Sequence, residues 1–379
     1  MKEHYLDNAA TTKPCEAAVH AMLRCFQETY GNPSSLHRVG LRAQQEMDSA
    51  RKILAAALGC DVREILFTSC ATESTNTALR SIAAAYGRRR RKIVTSAVEH
   101  ASVRQTLGFL SENEGFEIVE IAPDENGMYH ARDFIQAVDE NTCLITMMMV
   151  NNETGYVLPV KEVFSAVKRR FPQIITHCDA VQGFMKYPVR PTQLQADFIS
   201  LSGHKVHAAK GVGALYVKRG MKLRPLLLGG KQENSLRAGT ESVPLIAGFG
   251  AAVELLAPTM DSRFQYVQSL NIALREKLET LNGVRVLSPK DASPYVMSII
   301  VPKIRSEILL HYLEQGGVYI SSGSACAKGV GSGIPELFGA TKAEADSVLR
   351  ISFCADNTMD DVEALVQGIA AGQVEIMHN

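Results

Sequence analysis

Phe198-Ile199-Ser200-Leu201-Ser202-Gly203-His204-Lys205 is the stretch that decides how this chain reads. Its apolar-rich first half suits a short buried strand, and the glycine ends it. Two ionisable residues come next, His204 and Lys205. A buried strand that opens onto polar groups at its carboxyl end is how open α/β sheets present ligand sites.

The same arrangement recurs on either side. Short apolar runs at 64–68, 92–96, 144–150, 174–178 and 214–217 alternate with helix-like stretches at about 41–58, 73–86, 101–114 and 161–170. Within 41–58, Met47, Ala50, Ile53, Leu54 and Leu58 recur at helical spacing. Alternation of this kind predicts an α/β fold with a mostly parallel central sheet and helices on both faces. After Val243 the texture changes. A helical segment to Leu256 leads past Pro258 into a long helix near 263–281, then into strand candidates at 284–287, 296–301 and 318–321. The expected division is a large ligand-binding domain over 15–256 and a smaller α+β domain over 257–379, with residues 1–14 free to pack with the small domain or the large one.

Composition narrows the function. The 379 residues are 46% hydrophobic and 21% charged, with 40 basic and 40 acidic side chains. That balance argues against nucleic acid or an anionic membrane as the main partner. The basic run 88–92 reads as a solvated turn. No apolar run approaches a membrane span, and Met1-Lys2-Glu3-His4 lacks a signal pattern, so a cytoplasmic location is expected. The eight cysteines include no C-x-x-C pair, so neither a metal site nor a disulfide framework is expected. The Walker, dinucleotide and zinc-protease motifs are missing too.

The strand ends gather chemistry. After 64–68 come Ser69, Cys70, Ala71, Thr72 and Glu73; after 92–96 come Glu99 and His100; after 144–150, Asn151, Asn152 and Glu153; after 174–178, Asp179 and Gln182. A helix starting near Thr72 offers free N–H groups and a positive dipole end to a phosphate, although Thr72 reads equally well as a simple cap. A lysine such as Lys205 can condense with an aldehyde if its amine is partly desolvated. Asp179 can pair with a protonated pyridine nitrogen, and His100 can stack on a ring or move protons. Asn152 and Gln182 can hydrogen-bond a ring hydroxyl. Each of these residues has an ordinary structural reading when taken singly; their convergence carries the case for pyridoxal 5'-phosphate (PLP).

Farther on, Ser321-Ser322-Gly323-Ser324-Ala325-Cys326-Ala327-Lys328-Gly329-Val330-Gly331-Ser332-Gly333 predicts a mobile, exposed loop. Lys328 beside Cys326 suits a reactive thiol. Arg350 can clamp a carboxylate with two parallel hydrogen bonds, or lie on an edge strand as a surface arginine.

These residues resemble the cysteine desulfurases of the NifS/IscS type, within the class V aminotransferases. The resemblance runs from Tyr5-Leu6-Asp7-Asn8-Ala9-Ala10-Thr11-Thr12 to the neighbourhood of Arg350, through Gly31-Asn32-Pro33-Ser34-Ser35, Ala71-Thr72-Glu73-Ser74, Val150-Asn151-Asn152-Glu153 and Arg237-Ala238-Gly239-Thr240. Its most specific pieces are Ser202-Gly203-His204-Lys205 and Ser321-Ser322-Gly323-Ser324-Ala325-Cys326. It implies PLP fold type I in a homodimer, with Lys205 as the cofactor lysine, His100 as ring-stacking acid/base and Asp179 on the pyridine nitrogen. Gln182 and Asn152 would lie near the ring hydroxyl and substrate. Ala71, Thr72, Ser202 and His204 would surround the phosphate, joined by Thr240 of the other subunit. Arg350 would hold the carboxylate of L-cysteine, and Cys326 would carry the sulfur to an acceptor such as an iron–sulfur scaffold or a thiolation enzyme. Selenocysteine lyase or another class V lyase or aminotransferase is the alternative chemistry, and a non-catalytic scaffold the alternative class. Three departures stand out: Cys70 where relatives usually carry glycine, a run Ile351-Ser352-Phe353-Cys354-Ala355-Asp356 after Arg350 without the Gly-Arg pair often found there, and an end at Asn379 that implies a shorter acceptor-docking tail.

Overall fold

The computed structural model describes residues 2–323 and 332–377. Its centre is a seven-stranded sheet in the spatial order Ile65–Thr68, Gly213–Val217, Phe198–Ser202, Ile175–Asp179, Thr142–Met148, Lys92–Ser96, Glu117–Ile121. Gly213–Val217 runs antiparallel to both of its neighbours, and every other pairing is parallel. This is the mostly parallel sheet that the strand–helix alternation predicts. Thr142–Met148, Ile175–Asp179 and Phe198–Ser202 are buried along their whole length. That is why they read as apolar runs without alternation.

Glu117–Ile121 is absent from the sequence reading. It is the sheet's edge strand, half-covered, and its glutamates Glu117 and Glu120 face water. Charged edges of this kind deter further strand pairing and hide the strand from an apolar-run search.

Helices pack on both faces. Arg38–Leu58, with Met47, Ala50, Leu54 and Leu58 buried, joins Glu16–Gln27 and Val243–Leu256 in one layer. The helical stretch Val243–Leu278 is long and apolar enough by composition alone to cross a membrane. Its first helix is instead covered by protein. A Cβ on Gly250 would lie 2.8 Å from Ala50 Cα, and one on Gly248 would lie 2.8 Å from Met22 Cγ. Such close approach is what the glycines permit.

The second half builds a four-stranded antiparallel sheet in the order Ser321–Ser322, Val348–Ser352, Val296–Ile300, Arg285–Val286. His4–Tyr5 pairs in parallel with Val318–Tyr319. Leu6 and Ala9 join the apolar cluster of that region, with Leu270, Met297, Leu309, Ile351 and Leu365.

Candidate active site

Five strand ends of the large sheet and the segment 9–10 enclose a cavity of about 340 Å³. Ala71, Thr72, His100, Asn152, Asp179, Gln182, Ser202, His204, Lys205 and Arg350 all line it. Each is a candidate by sequence, and the structure brings them together.

Lys205 ends a short 3₁₀ turn that directly follows Phe198–Ser202. Its Nζ donates to the Ala9 carbonyl at 2.5 Å and to the Ala10 carbonyl at 2.6 Å. The N-terminal motif therefore closes the cavity over the lysine. Tyr5 Oη braces that motif by donating to the Thr11 carbonyl at 2.8 Å.

Asp179 is the last residue of its strand and is buried, with Oδ1 accepting from the Val181 N–H at 3.0 Å. Burial pushes its carboxyl up from the usual range, while the charges of His100 and Lys205 pull it back. His100 moves the opposite way: burial lowers it and Asp179 opposes the fall. The N-cap of Ala101–Glu114 is His100 itself, whose Nδ1 accepts from the Ser102 N–H at 3.1 Å. A neutral His100 accordingly carries its hydrogen on Nε2. The sequence pattern gives His100 a place on the ring but no hint of this capping role.

The helix Ala71–Tyr86 begins at the cavity, with Cys70 rather than Thr72 at the cap position. Its first N–H groups have no helical partners. Glu73 braces the preceding turn, accepting from the Ser69 N–H at 2.9 Å and from Arg237 Nε at 2.8 Å. Gly213 packs against Cys70: a Cβ there would lie 2.7 Å from the Cys70 carbonyl carbon. Ser202 Oγ is buried without a hydrogen-bond partner. An unpaired buried hydroxyl costs about 1–3 kcal/mol. An anion at this helix start would satisfy it, so the residues present fit a phosphate. A lysine amine and a buried carboxylate lining the same cavity fit the aldehyde and pyridine nitrogen of PLP.

Arg350 is not a surface arginine on an edge strand. Its strand lies between Ser321–Ser322 and Val296–Ile300, and the residue is buried. Nη2 donates to Asp7 Oδ1 at 2.9 Å and Nη1 to the Asn152 carbonyl at 3.2 Å, while Nε is buried with no partner. Asp7 has no role that its own N-terminal motif reveals; the ion pair supplies one. Burial raises Asp7 and Arg350 opposes that rise.

Three more buried ionisable groups lie near these strand ends: sequence reasoning noted Glu99 and Glu153 without giving them a role, and missed His177. Glu99 accepts from Ser96 Oγ at 2.5 Å and from the Met148 N–H at 2.8 Å, and burial pushes it up to about 8. His177 bridges Thr146 at 2.8 Å and Ser200 at 2.9 Å, and burial drives it down to about 3. Glu153 accepts from Ser332 Oγ at 2.7 Å, and burial raises it to about 7. All three sit in runs that read as strand or turn, where an acid or histidine gives no periodic signal.

Thr240, expected from the other subunit, does not line this chain's cavity. It is exposed and lines a neighbouring hollow of about 100 Å³ with Ser69 and Arg237. Cys326 lies outside the described residues. Among the described residues, His207, Cys354 and Asp356 bring one ligand-type atom each within 4.8 Å of one another, a grouping the cysteine spacing did not suggest.

A mostly parallel sheet whose strand ends converge on a lysine, a buried carboxylate and a helix start defines the PLP fold type I class. Comparison with known proteins is specific. The chain matches the class-V aminotransferase family over residues 4–365. It is 37% identical over 373 residues to the cysteine desulfurase IscS of Methanosarcina thermophila, covering 97% of this chain and 91% of that one. To a cysteine desulfurase of Gluconacetobacter diazotrophicus it is 38% identical over 371 residues, covering 97% and 92%. A solved NifS-like protein superposes with a TM-score of 0.93 at 34% identity over 98% of this chain and 100% of that one. A structure of SspA in complex with cysteine superposes at 0.81 with 30% identity, over 94% and 100%. The chain belongs to the class-V aminotransferase family, in its NifS/IscS cysteine desulfurase group, whose members are PLP-dependent enzymes.

Proposed function

We propose that this protein converts L-cysteine to L-alanine, placing the sulfur on Cys326 as a persulfide for delivery to an acceptor protein. The observation that carries the reading is the convergence of Lys205, Asp179, His100 and Arg350 on one cavity, in a chain whose relatives are named cysteine desulfurases.

PLP supplies an aldehyde for a lysine amine and a pyridinium ring that withdraws electrons from the substrate carbon. Lys205 would hold it, Asp179 would keep the ring nitrogen protonated, and Ala71, Thr72, Ser202 and His204 would hold the phosphate. Gln182 and Asn152 would face the ring and the substrate, and Thr240 of a second subunit would complete the phosphate site in a homodimer. Arg350 would bind the cysteine carboxylate through the Nε that now lacks a partner. Lys205 and His100 would move protons at the substrate carbons, a contribution of roughly 10²–10⁴ in rate.

In the sulfur-transfer step the Cys326 thiolate attacks the substrate sulfur. An S–S bond forms, the Cβ–S bond breaks with its electron pair left on carbon, and Cβ takes up a proton. L-cysteine and the Cys326 thiol thus become L-alanine and a persulfide, with no outside oxidant. Ser321 lies opposite Arg350 in the small sheet, so the chain leaves the carboxylate site directly into the segment that carries Cys326. A second apolar cluster, drawn mainly from residues beyond 257, supports a large domain over 15–256 and a small one over 257–379.

The acceptor is proposed to serve iron–sulfur cluster or thio-cofactor assembly, in the cytoplasm. The test is incubation of the PLP-loaded protein with L-cysteine and a thiol reductant. L-alanine and sulfide in equal amounts support the proposal; neither product, with PLP bound, overturns it.

A further inference from the structure

Lys205 also borders a second, smaller cleft of about 20 Å³, bounded in part by Lys186, His207, Arg263, Tyr295 and Cys354. It holds no more than a single water. Lys186 is the unusual member, because it is only 9% exposed. Among the described residues no carboxylate lies within salt-bridge distance of its Nζ. Its partners are Gln182 Oε1 at 3.1 Å and the face of Tyr295 at 5.3 Å. Burying an ammonium without a counter-ion is costly, and where a fold retains one the cause is commonly functional.

The Gln182 contact links Lys186 to the active site. An ammonium has only hydrogens to offer, so the amide must turn its oxygen toward Lys186. At its other end Gln182 Nε2 donates to the Ala9 carbonyl at 2.9 Å. That carbonyl also accepts from Lys205 Nζ. Rotating the amide by half a turn would set its NH₂ against the ammonium and its oxygen against a carbonyl. Both ends of the network therefore select one orientation, and a continuous chain runs Lys186, Gln182, Ala9, Lys205.

Charge is the second link. The groups facing Lys186 are Lys205 from the turn after Phe198–Ser202, Arg263 from Met260–Leu278, and Cys354 from the loop after Val348–Ser352. His207 and Asp356 lie just beyond. Burial brings Lys186 down to about 7, with the charges of Lys205 and Arg263 adding to the fall and Cys354 opposing it. The repulsion between two lysines is mutual. A protonated Lys186 disfavours positive charge on Lys205, the arrangement that activates a lysine beside another cation.

We propose that Lys186 is a positioning residue for the Lys205 site: it locks the Gln182 amide and, when protonated, sets a second positive charge beside Lys205. This rests on reading Lys205 as the cofactor lysine. The test records the absorbance of the PLP-loaded resting protein against pH, without substrate, for wild type, K186R, K186M and K186Q. The lysine-linked chromophore titrates with the proton on its nitrogen, so losing that second charge raises its midpoint. K186M and K186Q are expected to titrate higher by roughly one pH unit, a tenfold change in proton affinity. K186R is expected to titrate at or below the wild-type midpoint, because arginine keeps its charge at pH values where Lys186 loses its own. Where K186M fails to fold, K186Q carries the same test, because its amide can still donate to Gln182. Wild-type titration in a folded, PLP-loaded K186M or K186Q overturns the role of Lys186 alone. A wild-type protein that never develops the lysine-linked absorbance overturns the reading of Lys205, and the role of Lys186 with it.

Discussion

Arg350 Nη2 lies 2.9 Å from Asp7 Oδ1, joining residues 343 apart in sequence at the mouth of the cavity. The pair is mostly buried, at 7% and 20% side-chain exposure. It holds the guanidinium in place while leaving its Nε free of partners. Replacing Arg350 by Lys keeps the charge but loses the planar fork. Steady-state kinetics on L-cysteine should show KM rising by about 10–100-fold, roughly 1.4–2.8 kcal/mol, with a smaller change in kcat. An unchanged KM would remove Arg350 from carboxylate binding.

Lys205→Ala should abolish the lysine-linked absorbance and lower alanine release by at least the roughly 10²–10⁴ expected of an acid/base group. Circular dichroism should stay native, because the Nζ hydrogen bonds to the Ala9 and Ala10 carbonyls border a cavity where water can replace them. Full activity in this variant would sink the assignment of the cofactor lysine.

Glu233 should be a stability residue. It adopts φ 46°, a left-handed backbone, and is buried. Its carboxylate takes two hydrogen bonds from Arg51, at 2.9 and 2.5 Å, and one from the Phe67 N–H at 2.9 Å. Removing one partner of a buried pair costs about 3–5 kcal/mol. Glu233→Ala should therefore lower the urea midpoint clearly, while a double change with Arg51→Met should recover part of the loss.

His177 gives a pH dependence whose sign can be worked out. Its folded value of about 3 lies below the ordinary 6.5, so between these pH values the unfolded chain binds the extra proton. Stability from this group is complete above about pH 6.5 and is lost as pH falls toward 3, at up to ~1.4 kcal/mol per pH unit. Urea unfolding at pH 7.5 and 5.5 should show a smaller difference in His177→Asn than in wild type. Equal differences would exclude His177 as a source.

The strands that hold the site were legible because each is an apolar run ending in polar residues, as Phe198–Ser202 is before Lys205. The cavity residues were legible for the same reason: the chain reverses at the strand ends and leaves polar side chains there to meet a ligand. The hidden parts depend on contacts across the sequence. Asp7 means little until Arg350 is placed beside it. Lys186 reads as an ordinary surface lysine until the fold buries it over Tyr295. Glu117–Ile121 lacks an apolar run because one side faces water. Thr240 shows a different limit, since its expected place is in a second subunit and one chain cannot supply that contact.

The most direct test of the sulfur-transfer proposal is mass spectrometry of the peptide containing Cys326 after the PLP-loaded protein is mixed with one equivalent of L-cysteine and no reductant. The account predicts one added sulfur atom on Cys326 and an equal amount of L-alanine in solution. Alanine released with Cys326 unmodified would contradict it, leaving PLP chemistry without the thiol relay.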